Sequence, residues 1–173
     1  GRIAFEGGFR LDEDGSWTGQ ARLSNDGAVR FRHAEIVRLE ASLLAGPDGV
    51  RVVDGRAVSA AGTTVDRLAV AVRGGTIEAE ADGRLVATDI FPNLGLEPDL
   101  VAASGAYRAR LWRTGEGQPL RWSVEAEPVP DPVRPNGLDG RFTGEGGGGR
   151  IALDFGGAWG GSKLTFRLRG DDA

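Results

Sequence analysis

The feature that most constrains this chain is a two-residue alternation that runs almost from end to end. Ile3, Phe5, Gly7, Phe9 and Leu11 fall on one parity, and Arg2, Glu6, Arg10 and Asp12 fall on the other. Leu120, Trp122, Val124 and Ala126 alternate with Arg121, Ser123, Glu125 and Glu127. Leu164, Phe166 and Leu168 alternate with Lys163, Thr165, Arg167 and Arg169. Successive side chains of a strand point to opposite faces, so each stretch reads as a strand with one apolar and one polar face.

Turn signals punctuate the alternation: Asp14-Gly15, Asp26-Gly27, Gly46-Pro47-Asp48-Gly49, Asp54-Gly55, Gly74-Gly75, Asp82-Gly83 and Asn136-Gly137. Asp-Gly and Asn-Gly favour the positive-φ turns that close hairpins. The strands predicted between them are Arg2–Leu11, Ser16–Ser24, Val29–His33, Glu35–Leu44, Val50–Val53, Arg56–Ala61, Val65–Arg73, Thr76–Ala81 and Arg84–Thr88. Ala106–Arg113, Leu120–Glu127, Leu138–Thr143, Arg150–Phe155 and Lys163–Arg169 follow. Regular short strands of this kind predict an all-β, mostly antiparallel domain.

Ala34–Ala45 also scans as a helix stopped by Gly46-Pro47. The strand reading is preferred, because Val37, Leu39, Ala41 and Leu43 alternate with Arg38, Glu40 and Ser42. Ile90–Asp99 holds two prolines and predicts a loop or a short helical turn. Pro128–Pro135 has four prolines in eight residues and predicts an extended connection rather than a central strand. The expectation is one β-rich domain over 1–173, with a Pro-rich crossing connection at 128–137. The chain opens at Gly1 inside an expected strand, so it reads as a piece of a longer protein.

The apolar parity collects Ile3, Phe5, Phe9, Trp17, Leu23, Phe31, Leu39, Leu43, Val70, Ile77, Leu111, Trp122, Val124, Phe142, Leu153, Phe155, Leu164 and Phe166. Burying each large side chain is worth roughly 1.5–3 kcal/mol, so such a face cannot stay in water. No convincing helix is available to cover it. The sheet must cover itself as a sandwich, a barrel or a curled trough. Gly7, Gly19, Ala21, Ala79, Ala81, Gly140 and Gly144 share the apolar parity. They read either as curvature points of a closed sandwich or as residues that widen a groove able to hold an acyl chain.

No chemistry is written into the chain. There is no cysteine, and His33 is the only histidine, so thiolate and His-rich metal sites are excluded. No nucleophile elbow accompanies His33. Asp12-Glu13-Asp14-Gly15 lacks the further ligands of a calcium loop and reads as a solvated turn. Glu78, Glu80 and Asp82 alternate along one strand and read as its wet face. Gly144–Gly149 lacks the Lys-Ser/Thr of a phosphate loop and reads as a hairpin connection. Trp112 falls on the charged parity, which a β-bulge would re-aim; the alternative is an exposed contact for a partner or lipid headgroup. Trp159, within Gly156–Gly161, is open to the same two readings. Arg and Lys total 21 against 25 Asp and Glu, with no basic stripe, which excludes nucleic acid as an expected partner. No catalytic residue, metal or cofactor is expected. No run approaches the roughly 20 apolar residues of a membrane helix.

The run LEASLLAGPDGVRVVDGRAVSAAGTTVDRL (Leu39–Leu68) resembles the β-rich repeats of the TamB/AsmA-like bacterial envelope proteins, in its strand–turn–GVRV–DGR–strand cadence. The closing GRIALDFGGAWGGSKLTFRLRG is similar in style. The resemblance rests on cadence and composition, with no functional residue to carry over. It implies one elongated sheet of about 12–14 strands curled into an apolar trough, a β-taco. It implies a segment of an inner-membrane-anchored periplasmic protein that holds or conducts phospholipid acyl chains between the membranes. The eighteen apolar residues above would line the groove. The implied partners are phospholipid, an outer-membrane barrel protein whose assembly work it would aid, and neighbouring β segments of the same chain. A closed β-sandwich serving adhesion, carbohydrate binding or assembly is the rival reading.

Overall fold

The computed structural model describes residues 1–31, 33–90, 92, 97, 103–130 and 137–171. Among these residues twelve strands form one sheet: β1 (Arg2–Leu11), β2 (Trp17–Asp26), β3 (Val29–Phe31), β4 (Ala34–Gly46), β5 (Gly49–Ser59), β6 (Thr64–Arg73), β7 (Thr76–Val86), β8 (Ala103–Arg113), β9 (Arg121–Pro130), β10 (Leu138–Gly147), β11 (Arg150–Trp159) and β12 (Ser162–Asp171). A four-residue helix, α1 (Ala87–Ile90), follows β7. The order is β1-β2-β4-β5-β6-β7-β8-β9-β10-β11-β12, with short β3 beside β4. Every pairing is antiparallel. β1 and β12 each have one neighbour, so the sheet is open. The closed-sandwich alternative is therefore corrected. The ambiguous segment at Ala34–Ala45 is strand β4.

The alternation dictates this layout, but three strands carry an extra residue that slips its phase. Between Val52↔Val70 and Gly55↔Leu68, β5 advances three residues while β6 advances two. The inserted Asp54 has φ 55°, the positive value an aspartate tolerates better than most residues. Asp54-Gly55, expected as a turn, is thus a bulge inside one long strand. A second bulge falls at Asp66, between Val65↔Gly83 and Arg67↔Asp82. A third falls at Val37, between Ile36↔Ser59 and Arg38↔Val58. Each resets parity so that the apolar residues on both sides stay on one face.

Asp82-Gly83 is likewise strand rather than turn, within continuous β7. A Cβ at Gly83 would lie 2.1 Å from the Thr64 carbonyl oxygen. Glycine is needed there for the close approach of β6 at the Asp66 bulge. The glycine run 144–149 also differs from expectation. Gly144–Gly147 belong to β10, and only Gly148-Gly149 lie between the strands. A Cβ at Gly146 would sit 2.6 Å from Cε2 and Nε1 of Trp122, and one at Gly144 would sit 3.0 Å from Leu153 and Val124 side-chain carbons. These glycines make room for the Trp122 indole. Gly146→Ala is expected to destabilise the fold by about 1–3 kcal/mol through overpacking. The check is chemical denaturation followed by tryptophan emission, which should also shift in the native baseline.

The Pro-rich stretch is partly strand. Pro128, Val129 and Pro130 extend β9 and pair with Gly105, Ser104 and Ala103. β10 meets β9 only from Ala126 to Arg121, so the prolines occupy a part of β9 that β10 does not pair with. β9 and β10 are sheet neighbours, so their link joins adjacent strands rather than crossing the sheet. Residues 131–136 lie outside the described residues, as does most of Ile90–Asp99.

Where the ladders end, side chains take over. Asn25 accepts from the Leu39 N–H at 2.6 Å and donates to Gly27 and Val37 carbonyls at 2.8 and 3.2 Å. It extends the β2–β4 pairing past Ser24↔Glu40, beside the Val37 bulge. Ser59 hydrogen bonds to the buried Asp89 carboxylate and accepts from the Thr63 N–H at 2.9 Å, which ties α1 to the β5–β6 turn.

Candidate functional site

Register assembles the apolar side chains into rows that cross the sheet. One row runs Gly7, Ala21, Leu43, Val52, Val70, Ala79, Leu111, Trp122, Gly146, Ile151 and Gly170. A second runs Leu39, Ala57, Val65, Gly83, Tyr107, Ala126, Phe142, Phe155 and Phe166. Phe5, Leu23 and Ala41 align at one end, and Val124, Gly144, Leu153 and Leu168 at the other. Phe9 opposes Gly19, Ile77 opposes Val72, Leu164 opposes Gly157, and Trp17 opposes Leu11. Ile3 opposes Asn25. Seventeen of the eighteen expected groove residues therefore share one face. The eighteenth, Phe31, lies on β3, off the main path, and pairs through its backbone with Ala34 of β4.

This face is poorly covered. Only Ala41 and Phe155 are buried apolar residues among those described. Phe9 is 81% exposed, Leu11 67% and Phe5 66%. Ile3, Trp17, Trp159, Phe166 and Leu168 are also exposed. A single layer has nothing to pack its apolar side against, and coverage is weakest on the edge strands β1 and β12. Trp159 opposes Leu138 and Ser162, on the apolar parity.

The opposite face is a charge ladder. The directly opposed charged residues are Arg2–Asp26, Glu6–Arg22, Arg30–Glu35, Glu40–Arg56, Arg67–Asp82, Glu80–Arg110, Asp82–Arg108, Arg108–Glu125, Asp154–Arg167 and Arg150–Asp171. Every pair is of opposite sign, the arrangement that stabilises cross-strand neighbours. Several close as ion pairs: Arg67–Asp82 at 3.0 Å, Arg110–Glu80 at 3.5 Å, and diagonally Arg141–Glu125 at 3.1 Å. Glu80 and Asp82, expected on the wet face, are thus held by arginines.

Trp112 sits in this ladder without re-aiming. Its register with Glu78 and Arg121 is continuous, so the expected bulge is corrected. The Arg110 guanidinium lies over its ring, 5.5 Å from the centroid. That contact, with Trp112 partly covered, explains an indole on a charged face. Trp112 and Trp159 lie on opposite faces and form no joint aromatic platform.

Depressions between side chains lie on the charged face. One of about 580 Å³ is bordered by Trp112, Arg121, Glu145, Arg150 and Arg169. Another of about 620 Å³ lies among Asp66, Asp82, Arg108, Glu125 and Glu127. No group of three or more His, Cys, Asp or Glu is placed to hold a metal among the described residues. His33 is exposed in the turn after β3 rather than at the end of a strand. The Asp12–Gly15 turn closes on itself, with Asp14 accepting from the Ser16 N–H at 2.9 Å. The Ser16 side chain and N–H hold the Asp14 carboxyl below its usual value.

Two further titrations are shaped by the sheet. Burial raises the Tyr107 hydroxyl, with Asp66 and Asp82 adding to it, so it stays neutral across ordinary pH. Asp154 receives Arg169 at 2.6 Å and Arg167 at 2.7 Å, and these bonds lower its carboxyl below 3.8. A depressed carboxyl stabilises the fold above its unfolded value, and that contribution is lost as pH falls through the lower folded value. Asp154→Asn is expected to speed amide exchange in β12 selectively at pH 7 while leaving β5–β7 unchanged. The variant and the parent should converge as pH falls through the lowered value of the folded Asp154 carboxyl. Hydrogen-exchange mass spectrometry across that range checks it.

The sequence reading missed the three bulges and the rule of opposed charges. The bulge signal was present as an acidic residue at each phase slip in β5 and β6. No family model, curated protein or solved structure matches the chain. Among the described residues, no helix is long and apolar enough to cross a membrane.

Proposed function

We propose that this chain is a non-catalytic, acyl-chain-holding segment of a longer bacterial envelope protein of the TamB/AsmA-like kind. The observation that carries the reading is the open sheet with large apolar side chains gathered on one face, most exposed toward the edge strands β1 and β12, and opposed charges on the other. Exposed apolar surface of this extent marks an interaction site. A strip one sheet wide, in which large apolar side chains such as Leu43, Val70, Leu111 and Trp122 are interspersed with glycine and alanine, suits a flexible hydrocarbon chain better than a rigid polar ligand. Curling of the sheet, or abutting segments of the same protein, would enclose the strip. In the envelope the occupant would be phospholipid, passing between inner and outer membranes in the periplasm, with an outer-membrane barrel protein as the assembly partner.

The adhesion or carbohydrate-binding alternative expects a sealed core and aromatic residues grouped on an outer surface. No sealed core occurs among the described residues, and Trp112 and Trp159 lie on opposite faces. The reading is tested by mass spectrometry of organic extracts from the domain purified without detergent. Co-purified phospholipid supports it. An extract free of lipid, together with no uptake of a fluorescent fatty acid, contradicts it.

A further inference from the structure

β12 ends the sheet with one side of its backbone unpaired. It is ten residues long, has no proline, and meets β11 without a register shift. Soluble sheets guard such edges with bulges, prolines, charged side chains or charges turned toward the apolar side. β12 has no bulge, proline or inward charge, so its outward charges are what select the strand that can pair with it. Its apolar-face residues are Leu164, Phe166 and Leu168, and its opposite face carries Lys163, Thr165, Arg167 and Arg169, with Asp171 at its end opposed to Arg150. β1, the other edge, carries mixed signs in Arg2, Glu6, Arg10 and Asp12.

The charge ladder extends to what should lie beside β12. Along the row ending at Arg167, the residues run Arg67, Asp82, Arg108, Glu125, Thr143, Asp154 and Arg167. Asp154 alone serves both Arg167 and Arg169. Lys163 opposes only Ala158. The edge therefore carries positive charge that its inner neighbour leaves uncompensated.

We propose that the free edge of β12 receives an antiparallel strand with acidic residues opposite Arg169, Arg167 and Lys163, and apolar residues opposite Leu168, Phe166 and Leu164. Read in its own direction, that strand is acidic, apolar, acidic, apolar, polar, apolar, acidic. Backbone pairing supplies the adhesion, and the side chains supply the selectivity. A second copy of this chain is a poor occupant. Its β12 would set arginine against arginine. Its β1 runs in the same direction as β12, because the path is antiparallel throughout and holds eleven strands. It could dock only in parallel or with the faces inverted. The inference rests on the open edge and its charges, not on acyl-chain binding.

The test is fluorescence anisotropy of the whole chain with a labelled peptide, Glu-Val-Glu-Phe-Thr-Val-Glu. Two controls accompany it: the same peptide with Lys for each Glu, and the acidic peptide N-methylated at alternate amides. The acidic peptide should bind about tenfold or more tighter than the lysine form, since three opposed pairs change from attraction to repulsion. N-methylation on the pairing side should abolish binding. Arg167→Gln with Arg169→Gln should weaken binding by a similar factor, and the peptide series on the unaltered chain remains decisive if that variant unfolds. Equal binding of acidic and lysine peptides, or undiminished binding when each of the two alternate sets of amides is N-methylated in turn, overturns the proposal. A bound fluorescent fatty acid should stay bound when the acidic peptide is added, so the two readings fail separately.

Discussion

Phe155→Ala is expected to lower the unfolding free energy by about 3 kcal/mol or more, measured by urea denaturation with circular dichroism. The expectation follows from where burial is concentrated. Phe155 is only 7% exposed and stands between Phe142 and Phe166 in the same cross-strand row. In a two-layer domain the loss of one ring is shared among many neighbours. Here the described residues bury just two apolar side chains, and Ala41 is the other. A cavity at Phe155 therefore removes a large part of the available packing. Its effect should concentrate in β10–β12, which amide exchange can resolve.

The second large effect falls on binding and leaves stability nearly alone. Phe9→Asp replaces a ring that is 81% exposed. Surface changes of this kind alter stability by about 0.5 kcal/mol or less. The same change places a carboxylate in the apolar strip, beside Gly19 and two residues from Leu11. A hydrocarbon chain lying across that carboxylate would strip water from it without offering a partner. Affinity for a fluorescent fatty acid is expected to fall about tenfold or more, as one fully buried large side chain's worth of apolar contact is lost. Trp112→Ala, on the charged face, should leave that affinity unchanged. If Phe9→Asp unfolds the chain while Phe155→Ala does not, the division into packing and exposed residues is wrong.

The face assignment was legible in the sequence because a strand's period is two and its turns are rich in Asp-Gly. Leu164, Phe166 and Leu168 needed only that rule. The misreadings came from the same signals used with a different backbone. Asp54-Gly55 has turn chemistry, yet a positive φ at Asp54 serves a bulge equally well. Gly83 resembles a turn glycine, yet it is required by the Thr64 carbonyl pressed against it. Gly146 resembles a flexible linker residue, yet it lies under Trp122, a partner two strand-lengths of pairing away in sequence. Such contacts depend on register, which local patterns do not carry. The pairing of opposite charges was also hidden, because Arg108 and its partners Asp82 and Glu125 meet only once three strands are aligned.

The exposed strip explains why the candidate site was partly readable and its use was not. Parity identifies which residues face one way, but it is silent on what covers them. Openness belongs to the whole sheet, through edges β1 and β12 that find no partner in each other.

The central claim is tested most directly by photocrosslinking in cells. A photoreactive residue is placed singly at Phe5, Trp122 or Phe166 on the apolar face, and at Trp112 on the charged face. The account expects phospholipid adducts from the first three positions and none from Trp112. Lipid absent from all three apolar positions, with a protein or glycan captured at Trp112, would contradict it.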